Sequence, residues 1–286
     1  MHERLGFSVR IFVPFGEPEG PRVVEKSGWT GQGLVFPRSR FADIRRREEL
    51  RRTGVYVLWG PDNSEHLPSV CVGEGDVVLR QLDDHAKTTD FWTHGAAFTS
   101  KDLSLNKTHI QYLEARLVEL AAEAKRCELD NTNLPQRPTL SDADRADAEL
   151  YLVDMLRCLP VVGVCFFEKP QEPTGTSPDL FLNVKGGRAR AYEGASDFIV
   201  RAGSHATKEE VAALRPSLSE LRKTLLAQNI LKETSTAYQL CQDYGFSSPS
   251  TAAAVFLGRP ANGRLEWKDA EGRSLKEIQE AVVEEG

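Results

Sequence analysis

Short apolar segments open the chain: SVRIFVPF, RVVEKSG and GLVFP are separated by Gly16, Pro18, Gly20, Pro21, Gly28, Gly31 and Gly33. Strands punctuated by turn residues follow from that pattern. From Arg38 the spacing predicts a helix to Arg52, which Thr53-Gly54 ends before an apolar run begins at Val55. TGVYVLWG and LPSVCVGEG then read as an antiparallel strand pair joined by the polar loop PDNSEH. VVLRQLDDHAK from Val77 has apolar spacing for a helix, and AAFTS at 96–100 for a further strand. In LNKTHIQYLEARLVELAAEAKR, Ile110, Leu113, Leu117, Leu120 and Ala124 fall on one stripe, with Glu114 at its border.

Proline then interrupts the pattern twice. In LDNTNLPQRPTLSD (129–142), Pro135 and Pro138 forbid continuous helix, and EKPQEPTGTSPD (168–179) has the composition of a domain boundary. Between them Ser141 caps a helix with Asp144 three residues on, and LPVVGVCFF predicts a buried strand. Beyond the second linker, FLNVKG, ARAYEG and DFIVRAG predict a meander and SLSELRKTLLAQNIL a helix. SSPSTAAAVFLG predicts a second helix, with Ser248 as N-cap, Pro249 at the first position and Gly258 past the end. Asn262-Gly263 marks a turn into a strand RLEWK, and Ser274 with Glu277 caps the last helix. The chain is therefore expected to be α/β (α+β). The expected divisions are a β-rich lead-in at 1–50, a small antiparallel sheet flanked by helices at 51–135, a connecting helix and strand at 136–167, and a separate α+β domain at 180–286.

Composition narrows the class. With 286 residues, 40% of them hydrophobic, real cores can form, and no apolar run approaches the roughly 18 to 20 residues of a membrane helix. A cytoplasmic protein with no membrane partner is expected. Cys71, Cys127, Cys158, Cys165 and Cys241 show no ligand spacing, so free and mostly buried thiols are the expectation. A net charge of -6 argues against a generally sticky nucleic-acid binder. Charge is uneven, however: PRSRFADIRRREELRR (37–52) carries seven arginines against Asp43, Glu48 and Glu49. Such a run is either a solvated helix face or a surface for phosphates.

Glu114, taken alone, reads first as a solvated helix residue, although a carboxylate at the edge of a buried face also suits one hard cation. Its company decides more. Gly54-Val55-Tyr56, then Cys71-Val72-Gly73, then GEGDVVLRQLDDH and Glu114 in NKTHIQYLEARL, in that order, resemble the GIY-YIG nuclease superfamily over about residues 50–135. The segment DFWTHGAAFTSKDLSLNKTHIQYLEARLVELA resembles a subgroup with an extra C-terminal domain of unassigned role. FSSPSTAAAVFLGRPANGRLEWKDAEGRSL is similar to that domain, and more loosely to modules attached to restriction and methylase proteins.

The resemblance implies phosphodiester hydrolysis in nucleic acid, DNA in the first instance, with one Mg²⁺ ion replaceable by Mn²⁺. It implies Glu114 as the metal ligand, Tyr56 as the group positioning or deprotonating the water, and His85 orienting a water or phosphate oxygen. Gly73 belongs to the second signature, and the late asparagine falls at Asn131 or Asn133. The family's arginine is expected eight residues after Gly73, where Gln81 stands, so Arg80 next door is the candidate replacement and Gln81 a substrate contact. Cys71 stands where a tyrosine is expected. Losing one preorganised stabiliser commonly costs roughly 10² to 10³ in rate, so a nucleic-acid-binding or regulatory protein on the same fold is the alternative. An interaction scaffold whose Trp29, Trp59, Trp92 and Trp267 merely fill cores is the third reading. Partner proteins are not specified.

Overall fold

Alternation along the strand at Val55 to Leu58 organises the N-terminal unit. In the computed structural model, which describes residues 6–60, 67–102, 104–131, 134–168, 178–194 and 197–284, Val55 and Val57 enter one core and Tyr56 and Leu58 another. The chain is an α+β protein of two compact units, the first within residues 6–168 and the second of residues 178–284 with Leu67. The expected hairpin loop PDNSEH lies outside the described residues, as do 169–177 of the second linker and 132–133 of the first.

The first unit runs β1 (Val9–Phe12), β2 (Arg22–Lys26), β3 (Gly31–Pro37), α1 (Phe41–Ile44), β4 (Gly54–Trp59), β5 (Ser69–Gly75) and α2 (Val78–Thr88). It continues with β6 (His94–Ser100), α3 (Lys107–Ala124), β7 (Glu128–Leu129) and α4 (Asp142–Cys158). Among the described residues these strands form one sheet in the order β1-β2-β3-β6-β4-β5-β7. β3 pairs with β6 from Gly31↔Ser100 to Pro37↔His94, so the lead-in strands extend the sheet that carries β4 and β5. The β5–β7 pairing is parallel and brief, Ser69↔Glu128 and Val70↔Leu129, which leaves the outer edge of β5 without a strand beyond Val70.

One face of this sheet packs Val55, Val57, Val72 and Phe98 against Ile110, Leu113 and Leu117 of α3 and Leu152 and Met155 of α4. The other packs Tyr56, Leu58, Cys71 and Ala97 against Val78 and Leu82 of α2, with Phe41, Ile44, Leu50 and Trp92. Two helices are thereby pinned on opposite faces of β5. Glu149 of α4 accepts hydrogen bonds from Tyr112 (2.7 Å) and Arg116 (2.6 Å), which fixes α3 along its length. Ser141 caps α4 as the sequence predicts, accepting from the Asp144 amide.

Three local expectations are corrected. The helix expected over 38–52 is broken into a 3-10 turn at Arg38–Arg40, the four residues of α1, and another 3-10 turn at Glu48–Arg51. Its buried anchors are Phe41, Ile44 and Leu50, with Arg47 and Glu48 at the positions where a continuing apolar face needs support, so the chain turns extended at Arg47. The strand expected at 159–167 is a 3-10 turn at Pro160–Val162, ended by Gly163 in the left-handed conformation (φ 87). Leu159, Val162, Val164 and Phe167 are still buried, and a short apolar run cannot by itself distinguish a strand from such a segment.

The third correction lies in the second unit, which comprises β8 (Leu180–Val184), β9 (Gly187–Glu193), β10 (Phe198–Val200), β11 (His205–Ala206), α5 (Pro216–Ala227) and β12 (Leu231–Glu233). It ends with β13 (Tyr238–Leu240), β14 (Tyr244–Phe246), α6 (Pro249–Leu257), α7 (Gly263–Glu266) and α8 (Leu275–Glu284). Of the expected strand RLEWK, Arg264–Glu266 lie in α7, because Asn262 acts as an N-cap, its side chain accepting from the Arg264 amide, and not as a hairpin turn, and Lys268 alone forms strand-like bridges, to Phe181 and Ser274. A Cβ on Gly263 would fall 2.1 Å from the Pro249 carbonyl carbon, so the close approach of α7 to α6 requires glycine there. Described strands form the sheets β14-β10-β9-β8 and β11-β13-β12 around Phe198, Phe246, Phe256 and Trp267. The guanidinium of Arg222, buried in this unit, donates to the carbonyls of Val255 and Thr207 and faces Glu210. No helix among the described residues is long and apolar enough to cross a membrane.

Candidate functional site

Where β7 stops, a cleft of ≈ 390 Å³ opens along the free edge of β5. β5 supplies Cys71, Val72, Gly73 and Glu74 to it, β4 supplies Tyr56, α2 supplies Gln81 and His85, and α3 supplies Lys107 and Glu114; Thr89, Asp130 and Asn131 complete the wall. Side chains from opposite faces of the sheet meet here because the edge carries no further strand.

Gly73 makes that meeting possible. It pairs with Tyr56 in the β4–β5 register, and a Cβ on it would lie 2.3 Å from both Cζ and Oη of Tyr56. The tyrosine ring therefore lies directly over the bare backbone of its neighbour. Its hydroxyl is 2.9 Å from Nε2 of His85, and Nδ1 of His85 is 3.2 Å from Oγ1 of Thr89, one helical turn on. Burial raises the Tyr56 pKa, reinforced by the nearby acidic groups Cys71, Glu114 and Glu74 where these are ionised, so the phenol stays protonated. Burial also lowers the pKa of His85, against opposing effects of Asp84 and Asp130, so its ring is neutral near pH 7. A protonated phenol beside a neutral imidazole fixes the roles: Tyr56 donates to Nε2, and Nδ1–H donates to Thr89.

Glu114 is the other chemically marked group. Burial, and then the charge of Glu74, push its carboxyl up to about 7, while Lys107 pulls the opposite way. Among the described residues it makes no hydrogen bond or ion pair. A carboxylate partly withdrawn from water without a partner gains by meeting a cation. No group of three or more His, Cys, Asp or Glu among the described residues could cage a metal, so an ion on Glu114 would keep most of its waters. Mg²⁺ commonly binds in that way, through one or two carboxylates.

Asn131 is held against β5. Its Oδ1 accepts from the Val72 amide (3.1 Å) and its Nδ2 donates to the Val72 carbonyl (2.7 Å), so one side-chain amide stands in for the missing strand residue. Both its polar groups are engaged with backbone, which makes it a builder of the cleft wall; Asn133 lies outside the described residues. We expect Asn131→Ala to lower unfolding free energy by ~1–3 kcal/mol, since two backbone groups of Val72 lose their partners, with Asn131→Asp intermediate. Urea denaturation followed by circular dichroism measures this, and an unchanged midpoint contradicts it.

The structure thus brings Tyr56, Gly73, Gln81, His85, Glu114 and Asn131 to one cleft, and leaves Arg80 exposed on α2 outside it. The arginine run is largely occupied in holding structure. Arg38 donates to the carbonyls of Ala86 and Thr89 at the end of α2 and sits 4.7 Å above the Trp92 ring; Arg45 pairs with Asp83 and Arg52 donates to the Ser100 carbonyl. Cys71 lies in the wall with burial raising its thiol pKa to about 11, so it is an uncharged filler at neutral pH. Sequence reasoning missed Glu74, Thr89, Lys107 and Asp130. Lys107 and Thr89 had a signal, being two turns before Glu114 and one turn after His85; Glu74 and Asp130 had none.

Beyond the cleft, the comparisons bear on the second unit. Residues 180–279 match a Domain of unknown function (DUF4357). No curated protein and no solved structure matches the chain. The matched segment begins at β8 and ends within α8, so it takes in both sheets of the second unit.

Proposed function

We propose that this chain is a Mg²⁺-dependent endonuclease of the GIY-YIG type that hydrolyses phosphodiester bonds in nucleic acid, DNA in the first instance. The observation that carries the reading is the convergence of Tyr56, His85 and Glu114 on one cleft from β4, α2 and α3. The comparisons do not bear on this segment, and the resemblance stands on its residues and their arrangement. Glu114 would hold the ion, which when bound supplies charge stabilisation at the phosphate and an activated water.

The chain's own residues supply the rest. Tyr56 offers its oxygen to a water on the open side, and His85, neutral and already hydrogen-bonded to the phenol, receives a proton passed through it. Thr89 keeps the imidazole in the tautomer that can do so. Among the described residues of the cleft, three carboxylates, Glu74, Glu114 and Asp130, face one ammonium. An anionic substrate is repelled from such a site until a divalent ion enters it. We therefore expect supercoiled plasmid to remain intact in EDTA and to be nicked once Mg²⁺ or Mn²⁺ is added; nicking that persists in EDTA overturns the metal assignment.

The second reading, a nucleic-acid-binding or regulatory protein without turnover, is favoured by Gln81 facing the cleft while Arg80 does not. It predicts salt-sensitive duplex binding and no nicking under any divalent ion.

A further inference from the structure

We propose that Lys107 is the residue that meets the substrate phosphate in this cleft and supplies the positive charge for which position 81 carries no arginine. The proposal rests on the nuclease reading and names the charge-stabilising group within it. Among the described residues lining the cleft, Lys107 is the one lysine or arginine. It stands in the first turn of α3, two turns ahead of Glu114 on the same side of the helix, a rise of roughly 10 Å. Both side chains line the one cleft, so a phosphodiester bound beside Glu114 lies in the same enclosure as the Lys107 ammonium.

Its ammonium can accept a second anion beside its present partner. The ammonium sits 2.7 Å from Glu74 and 3.9 Å from Asp76, while the side chain keeps 47% of its exposure. The pair is open at its lysine end only, Glu74 keeping 14% of its exposure, so a phosphate oxygen meets the solvent-facing N–H groups of the ammonium while Glu74 holds another. Glu74 then acts as the anion that keeps Lys107 aimed at the cleft between substrates. Arg80 has no such placement.

The test compares wild type, Lys107→Ala, Lys107→Arg and the double variant Lys107→Ala/Gln81→Arg. It reads plasmid nicking in Mg²⁺, the salt dependence of duplex binding in Ca²⁺, and thermal melting as a fold control. We expect Lys107→Ala to lower nicking by about 10²-fold with an unchanged melt, and to reduce the slope of log affinity against log salt by about 1. Lys107→Arg should keep most activity, and adding Gln81→Arg to Lys107→Ala should restore nicking at least about tenfold, because a charge returns to the cleft. Wild-type nicking and salt slope in Lys107→Ala overturn the proposal while leaving the nuclease reading intact. So does a loss that neither arginine relieves, which marks Lys107 as structural. If wild type binds duplex without nicking it, the nuclease reading falls and the salt slope alone decides whether Lys107 touches phosphate. If wild type neither nicks nor binds, both fall together.

Discussion

Glu114→Gln is expected to reduce Mg²⁺-dependent nicking by about 10³-fold, because a metal contributes several kcal/mol of charge stabilisation and each ~1.4 kcal/mol is a factor of ten. The same substitution has an effect that needs no substrate. The Glu114 carboxyl is raised to about 7 from an ordinary value of 4.5, so between those two values the folded chain binds more protons at this position than the unfolded chain. Stability from this group therefore falls as pH rises through that window, and it is fully present only below the unfolded value. In metal-free buffer, wild type should lose melting temperature from pH 4.5 to 7 relative to Glu114→Gln, whose amide does not titrate. Mg²⁺ should return that stability above pH 7, where the carboxylate is ionised, and have no effect on the glutamine variant. Parallel melting profiles of the two proteins at every pH, with and without Mg²⁺, contradict both the desolvation of Glu114 and its role as ligand.

Gly73→Ala is expected to damage stability and activity together. The new methyl would stand 2.3 Å from Cζ and Oη of Tyr56, and that ring is confined by a core that includes Cys71, Val78 and Leu82. Overpacking of this kind costs typically ~1–3 kcal/mol. Relief requires the ring to tilt, which breaks its 2.9 Å hydrogen bond to His85 and moves the phenol off the cleft. Nicking should fall by about 10²-fold, as for other losses of one preorganised group. Gly75→Ala is the control, since its added Cβ meets first the flexible Cγ of Gln81 at 3.1 Å and should cost less. Denaturant midpoints for the two variants give the comparison, and equal costs at Gly73 and Gly75 refute the account of how Tyr56 is seated.

Much of the N-terminal unit was legible from local pattern. The strands at 54–59, 69–75 and 94–100 and the helices at 78–88 and 107–124 follow from apolar spacing, and the start of the helix at 142–158 from the cap at Ser141, which acts within one turn. Where the reading failed, tertiary burial outweighed local preference. Arg47 leaves helical geometry because Leu50 is drawn into the core of Phe41 and Ile44, and Asn262 caps α7 because Trp267 is buried with its indole donating to the Pro249 carbonyl.

The candidate site divides in the same way. His85 and Glu114 were marked by order and spacing, and the helix that carries each was predictable from its stripe. Arg80 was the expected cation by adjacency alone, yet the rotation of α2 places Gln81 and not Arg80 among the residues lining the cleft.

Sequence by itself determined most of the segments that become strand or helix and which residue types ride on them, because hydrogen bonds and caps within a few residues respond to local spacing. Tertiary structure alone decided that β3 joins β6, that Asn131 completes the edge of β5, and that Tyr56 lies over Gly73 toward His85. It also decided that Lys107, and not an arginine, is the positively charged side chain among the described residues lining the cleft. Each of those contacts joins residues 17 or more positions apart in the chain. Their free energy comes from burial and register between elements, which no short window of sequence contains.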